Sequence, residues 1–245
     1  MPVDPTLRRF WDTGRMSPLQ PSSPPASAPT AELGRTLTRF VHPLALLALM
    51  WVIRAADFVL PGTFNTYGIR SWDVTSAFGL VLAPLLHSGW GHLIANSVPL
   101  LVLGLLVAAE GARRFWLVTA LIALVGGVGT WLVNLPGTVT VGASVLVFGY
   151  FGYLLVRAFV VRSMAHRIGY AVVAVVVVMV FGASMLTGVL PLYPGISWQA
   201  HLFGAVGGGL AAVWLGRGDN RRLARSRAQQ ARRDDPYGLR ELGLE

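Results

Sequence analysis

The sequence predicts an all-α polytopic membrane protein with six transmembrane helices. Hydrophobic residues make up 54% of the 245 residues and charged residues only 13%, an unusual balance for a soluble domain. The mean hydropathy is +0.59. Apolar runs of about 20 residues, the length that crosses a hydrocarbon core, recur along the chain. These observations together predict a chain that resides in a lipid bilayer.

Six apolar segments are predicted as transmembrane helices. Their approximate limits are 38–60, 92–110, 115–134, 141–161, 169–190 and 198–216. The first segment is the least regular, because Arg54 and Asp57 lie near its end. The connection 61–86 has a mixed, semi-apolar pattern, which favours a first loop lying partly in the membrane interface.

Polar tails flank the predicted membrane domain, 38–216. Residues 1–37 are rich in Pro, Ser and Ala, which predicts a disordered tail. We expect no cleaved signal peptide, since the first apolar run begins only after Arg39. Residues 217–245 form a basic tail outside the membrane. The chain has no cysteine, which excludes disulfides, a thiol nucleophile and cysteine-ligated metals.

The distribution of arginine predicts the orientation. Basic residues occur in both tails and in the turns 111–114 and 157–167, whereas the alternate loops 135–141 and 191–197 carry no charge. By the positive-inside rule, both termini are cytoplasmic in a multi-pass protein of the cell membrane. The net charge of +9 is therefore a topology signal that also favours anionic lipid headgroups as partners. No nucleic-acid partner is expected.

Four polar residues are expected at one shallow depth below the outer surface. With this topology, the second, fourth and sixth segments all run from outside to inside. His92 and Asn96, four residues apart, share one helix face near the start of the second segment. Ser144 lies in the first turn of the fourth segment, and His201 lies near the start of the sixth. Polar and ionisable groups within membranes are expensive and usually functional.

A serine hydroxyl beside a histidine is typical of covalent hydrolysis. His201 would take the proton of Ser144, and the resulting oxyanion would need fixed donors. His92, Asn96 and the backbone N–H of Ser144 could supply them, since the first turn of a helix has unpaired N–H groups. His87 lies about 140° around a helix from His92, so we expect it just before the helix, where it braces the loop.

A metal site is the competing explanation for the histidines. Such a site would need an HExxH-type pair, carboxylates or thiolates, and the only acidic residue of the second to sixth segments, Glu110, lies at the far end of the second. We therefore expect neither a metal nor a cofactor.

The triplet Gly-Ala-Ser occurs twice, at 142–144 and at 182–184. Ser184 is expected several turns into its helix, where its hydroxyl can bond locally, so it is predicted to be a small packing residue. Ser144 is therefore the candidate nucleophile. Glycines in the fourth and sixth segments predict a close approach of these two helices.

These residues resemble the motifs of the rhomboid family of intramembrane serine proteases, over roughly 60–215. The segment "HSGWGHLIAN" matches the family's HxxxxHxxxN, "GAS" matches the start of its GxSG, and "AHLFGAVGG" matches its catalytic histidine with the glycines that follow. The resemblance implies a rhomboid-like bundle with Ser144 as nucleophile and His201 as base. His92 and Asn96 would complete the oxyanion hole, and Phe148 stands where the family often has a tyrosine stacked on the catalytic histidine.

Two positions depart from the family pattern. Val145 replaces the glycine after the serine, and Phe78-Gly79 stands where the first loop often carries Trp-Arg. The predicted function is the cleavage of transmembrane substrates near their extracytoplasmic end. The departures leave a catalytically inactive rhomboid-like protein that binds membrane clients as an alternative. A small transporter is disfavoured, because neither internal repeats nor charged midplane residues are evident.

The predicted topology can be tested with single cysteines, since the chain has none of its own. Cysteines introduced in 135–141 and 191–197 should react with an impermeant thiol reagent added to intact cells, and cysteines near either terminus should react only after lysis. Labelling of both termini in intact cells would reverse the orientation and remove the common depth of the four polar residues.

Overall fold

The computed structural model describes residues 29–60, 64–161, 164–192 and 195–235. Six long helices organise this part of the chain: α1 (Pro29–Val59), α2 (Trp90–Ala108), α3 (Ala112–Val133), α4 (Ser144–Val160), α5 (Met164–Gly188) and α6 (Trp198–Asp234). Residues 1–28 of the predicted disordered tail lie outside the described residues, as do 236–245. Helix α1 begins at Pro29, earlier than the predicted start at 38, and proline is well tolerated in the first turn of a helix.

The centre of the fold is the contact between α4 and α6. A Cβ atom at Gly208 of α6 would overlap the carbonyl oxygen of Gly149 in α4, and one at Gly152 would overlap the carbonyl oxygen of Ala205. The two helices therefore meet backbone to backbone, as the glycines of the sequence predict. Helix α6 also packs extensively against α3, and the buried Tyr150 of α4 belongs to the same core.

Four of the long helices are long and apolar enough to cross a membrane: Leu37–Val59 of α1, all of α2, all of α3, and Arg167–Gly188 of α5. Helix α4 is apolar but has only 17 residues, and α6 is not among the four. Helix α4 is largely buried by other helices, whereas α6 buries a face rich in glycine and alanine and leaves apolar side chains such as Leu210 and Trp214 exposed. The small residues of both helices favour close helix packing.

The predicted interfacial loop is ordered where it is described. It contains three short 3-10 helices, a single-turn helix at Gly79–Leu82 and the strand β1 (Ile69–Arg70). Strand β1 pairs antiparallel with β2 (Val139–Thr140), which precedes α4. Trp72 follows β1 with a positive φ of 67°, and its indole N–H donates to the carbonyl oxygen of Asn134 at 3.1 Å. The first loop is thereby joined to the segment that leads into α4.

The charged residues near the end of α1 form a local pair. Arg54 Nη1 lies 2.5 Å from Asp57 Oδ2, and the other carboxylate oxygen accepts the backbone N–H of Phe64 at 3.1 Å. The guanidinium group also lies over the ring of Trp90, 5.4 Å from its centroid. These contacts explain why two charges are tolerated at the end of an apolar helix, and they join α1 to the start of α2.

Four charged side chains form a cluster at the end of the bundle opposite Ser144. Arg114 Nη1 contacts Glu110 Oε2 at 2.7 Å, and its Nη2 contacts Asp219 Oδ1 at 2.5 Å. Arg157 Nη2 contacts the same two carboxylates, at 3.0 Å and 2.5 Å. Two acids thus balance two bases, and the cluster joins the end of α2 to α3, α4 and α6.

Helix α6 does not end where the predicted sixth segment ends, at 216. It continues to Asp234, and every residue from 221 to 234 is exposed. Arginine, alanine and glutamine are good helix formers, which accounts for helical structure in a tail predicted only as polar and basic.

Asp219 offers a test of the charged cluster. Asp219→Asn should lower the free energy of unfolding by about 1.5–3 kcal/mol, the usual contribution of hydrogen bonds to charged groups, because two arginines lose an anionic partner. Asp234→Asn on the same helix, where the carboxylate only accepts from Gln230, should change it by less than about 0.5 kcal/mol. Denaturant titration in mixed micelles measures both. Equal effects would show that the cluster does not stabilise the fold.

Candidate active site

The turn before Ser144 is held from two sides. Gly142 has a φ of 126°, a conformation that favours glycine, and its N–H donates to the carbonyl oxygen of Ala83 at 2.9 Å. The N–H of Ala143 donates to His87 Nε2 at 3.3 Å. Ser144 then begins α4, where first-turn N–H groups lack the carbonyl four residues back that they would otherwise bond.

His87 lies before α2, as predicted, and is only 2% exposed. Burial, together with the nearby His92, lowers the pKa of His87 to about 4. The ring is therefore neutral near pH 7 and can accept the N–H of Ala143. His87 thus braces the turn that presents Ser144.

His92 and Asn96 lie in the first half of α2, beside the Gly142 turn. A Cβ atom at Gly142 would lie 2.6 Å from His92 Cε1 and 2.7 Å from its Nε2. Ser88 Oγ lies 3.2 Å from His92 Nδ1, so a hydroxyl that donates there leaves Nε2 with the proton. Asn96 Nδ2 donates to the carbonyl oxygen of His92 at 3.0 Å, and its second N–H remains for another acceptor.

His201 lies in the first turn of α6, which Ser197 caps by accepting the N–H of Ala200. The ring of Phe148 stacks on the imidazole, with centroids 4.0 Å apart and planes 8° from parallel. His201 Nδ1 lies 2.7 Å from the carbonyl oxygen of Gly188, at the end of α5. Among the described residues, no hydrogen bond joins Ser144 Oγ to His201, so the imidazole is held by Phe148 and Gly188.

One cavity of about 950 Å³ brings the predicted site residues together. Ser144, His201, His92, Asn96 and Phe148 all line it, whereas His87 lies behind it. Catalytic hydrogen bonds are often long before substrate binds, so a shared cavity is compatible with proton transfer between Ser144 and His201.

Ser184 differs from its prediction as a packing residue. It is exposed and lines the same cavity from α5, which is the least buried of the four apolar helices. Its place well inside α5 still distinguishes it from Ser144, whose N–H stands at a helix start.

Several polar residues of the cavity wall were missed by the sequence analysis. Asn134, after α3, donates from Nδ2 to Thr140 Oγ1 at 3.2 Å and accepts from Gln199 Nε2 at 3.1 Å. Thr130 also lines the cavity. Thr130 and Asn134 lie four residues apart at the end of an apolar helix, and this spacing is the signal that could have indicated them.

Val145, the departure from the family pattern, has a specific place in the packing. It is 7% exposed, and it faces two glycines on neighbouring helices. A Cβ atom at Gly126 of α3 would overlap Val145 Cγ2, and one at Gly204 of α6 would lie 3.2 Å from the same methyl carbon. The valine therefore fills space between α3 and α6, directly after the candidate nucleophile.

Comparisons with known proteins agree on one family. A family model of the rhomboid domain matches residues 74–218. An uncharacterized protein of Mycobacterium tuberculosis is 36% identical over 224 residues, 88% of each chain. A candidate rhomboid protease of Bacillus subtilis, YdcA, is 30% identical over 177 residues, 67% of this chain and 82% of the relative. Rhomboid-like protein 11 of Arabidopsis thaliana chloroplasts is 29% identical over 186 residues, 68% of this chain and 64% of the relative.

The packing of Val145 can be tested by a double-mutant cycle. Val145→Gly should lower the free energy of unfolding by about 2–4 kcal/mol, from lost burial and added backbone entropy. Gly126→Ala alone should also destabilise, because its methyl group would overlap the valine. In the Val145→Gly background the same alanine should cost much less, because its Cβ would then be close only to the backbone of Gly204, 3.3 Å from its Cα. Additive effects in denaturant titrations would contradict this packing.

Proposed function

Because the chain belongs to the rhomboid family, we propose that it is an intramembrane serine protease with Ser144 as nucleophile and His201 as base. The observation that supports this most is the stack of Phe148 on His201, at the wall of the cavity that Ser144 also lines. An imidazole that merely filled space would need neither a fixed plane nor a polar cavity. The proposed substrates are transmembrane proteins, cleaved near their extracytoplasmic end.

The proposed reaction uses the groups that line the cavity. Ser144 Oγ attacks the carbonyl carbon of the scissile peptide while its proton passes to His201 Nε2. The oxyanion that forms accepts hydrogen bonds from the Ser144 N–H, His92 Nε2 and Asn96 Nδ2. As the C–N bond breaks, His201 returns the proton to the leaving amine, and an acyl-enzyme ester remains. Water then attacks this ester with His201 again acting as base, and the second product leaves as a carboxylic acid.

The proposed membrane arrangement follows the arginine pattern. All six long helices, including α4 and α6, would cross the cell membrane with both termini in the cytoplasm. The candidate site at the starts of α2, α4 and α6 would then open towards the outside, from which water enters. The exposed arginines after residue 216 would meet anionic headgroups on the cytoplasmic side.

A second candidate function is a catalytically inactive rhomboid-like protein that binds membrane clients. Val145 is the observation that favours it, because this residue replaces the family's glycine beside the candidate nucleophile. The two candidates differ in one property, the reactivity of the Ser144 hydroxyl. A fluorophosphonate serine probe should label the purified wild type and not Ser144→Ala. A folded wild type that neither reacts with the probe nor cleaves a transmembrane substrate would favour the inactive protein.

The dyad can be tested by comparing the two Gly-Ala-Ser serines. Ser144→Ala and His201→Ala should each abolish cleavage of a transmembrane substrate in liposomes, and the double variant should be no worse, since residues that act as one unit are non-additive. Ser184→Ala should keep cleavage within a few-fold of wild type. Loss of cleavage in folded Ser184→Ala, with cleavage retained in Ser144→Ala, would assign the nucleophile to Ser184 instead.

A further inference from the structure

The contact between His201 and the end of α5 determines which ring nitrogen carries the proton. His201 Nδ1 lies 2.7 Å from the carbonyl oxygen of Gly188. A carbonyl oxygen can only accept, so Nδ1 must be the donor. In the neutral imidazole this leaves Nε2 without a proton. That tautomer is the one able to take a proton from Ser144.

The Gly188 carbonyl is available because of its place in the chain. Gly188 is the last residue of α5, and the last carbonyls of a helix lack intrahelical donors. The positions three and four residues on do not supply a donor, because Pro191 has no N–H and the N–H of Leu192 donates to the carbonyl oxygen of Leu190. The negative end of the helix dipole also lies here, which favours the imidazolium that forms during catalysis.

The packing around Gly188 leaves no room for a side chain. A Cβ atom there would overlap Phe148 Cζ and would lie 3.2 Å from both Phe148 Cε1 and His201 Nδ1. The hydrogen bond and the Phe148 stack therefore both require glycine at this position. By contrast, a Cβ atom at Gly169, in the same helix, would have no neighbour within 4 Å.

We propose that Gly188 is a positioning residue whose carbonyl holds His201 in the Nδ1–H tautomer, the part that a carboxylate plays in a catalytic triad. This inference rests on the proposed function for its catalytic meaning. The orientation of the imidazole itself does not depend on whether the protein is active. Because α5 supplies the carbonyl, the base is competent only while the end of α5 stays packed against Phe148 and His201.

The tautomer can be observed directly by NMR. Full-length protein with ¹⁵N-labelled histidine in micelles at pH 8 gives long-range ¹H–¹⁵N correlations that distinguish Nδ1–H from Nε2–H rings. The His201 signals are identified by their loss in His201→Gln. We expect a single Nδ1–H ring in the wild type. A wild-type ring protonated at Nε2 would overturn the proposal, whatever the behaviour of any variant.

Gly188→Ala provides the second arm, with Gly169→Ala as the matched control. Gly188→Ala should give a mixture of tautomers and lower kcat roughly 10- to 100-fold, within the 10²–10⁴-fold range of a general base. KM should change less than about threefold, because substrate binding uses other groups. Gly169→Ala should match the wild type in both readouts. A folded Gly188→Ala that keeps one Nδ1–H ring and full kcat would overturn the proposal.

The two arms also separate this inference from the proposed function. A wild type with an Nδ1–H ring that becomes a mixture in Gly188→Ala, but without cleavage or probe labelling, would support the positioning role and reject the protease. Cleavage by a wild type whose His201 carries its proton on Nε2 would support the protease and reject the positioning role of Gly188.

Discussion

The backbone contact between α4 and α6 is the constraint on which the rest of the structure depends. One helix begins with Ser144 and the other carries His201 in its first turn, so their separation sets the distance between the two candidate catalytic groups. Because Gly208 and Gly152 lack side chains, the helices approach until backbone atoms touch. Lipid provides little hydrophobic driving force between helices, and close packing of small residues supplies stability in its place.

Ion pairs also join α4 and α6 at the opposite end of the bundle. Arg157 of α4 is only 5% exposed and contacts Asp219 of α6, while Arg114 of α3 contacts Asp219 as well. The sequence indicated these arginines only as markers of the cytoplasmic side. In the structure they also neutralise carboxylates that an interior would otherwise exclude, since a buried charge without a partner is strongly destabilising. An arginine that the sequence indicates only as a topology signal can therefore also contribute to packing inside the bundle.

Much of the helical architecture, and the polar residues that share one cavity, could be predicted from the sequence, because both depend on local signals. Apolar length indicated the helices, small residues indicated the α4–α6 contact, and polar residues in apolar segments indicated His92, Asn96, Ser144 and His201. The contacts to Asp219 and Gly188 could not be predicted, since neither residue carries a local signal and each acts through a partner far along the chain. The sequence indicated Val145 only as a departure from the family pattern. Its packing could not be predicted, because the residue it packs against, Gly126, belongs to another helix.

The length of α6 between His201 and Asp219 is constrained by the contacts that these two residues make. His201 and Asp219 are eighteen residues apart, which is about five turns and about 27 Å of helix. Both therefore lie on one side of α6, where His201 meets Phe148 and Asp219 meets Arg157. Adding or removing one residue between them would rotate one contact by about 100° relative to the other. Surface loops in general tolerate insertions and deletions, but the segment 202–218 cannot gain or lose a single residue without turning the imidazole away from α4.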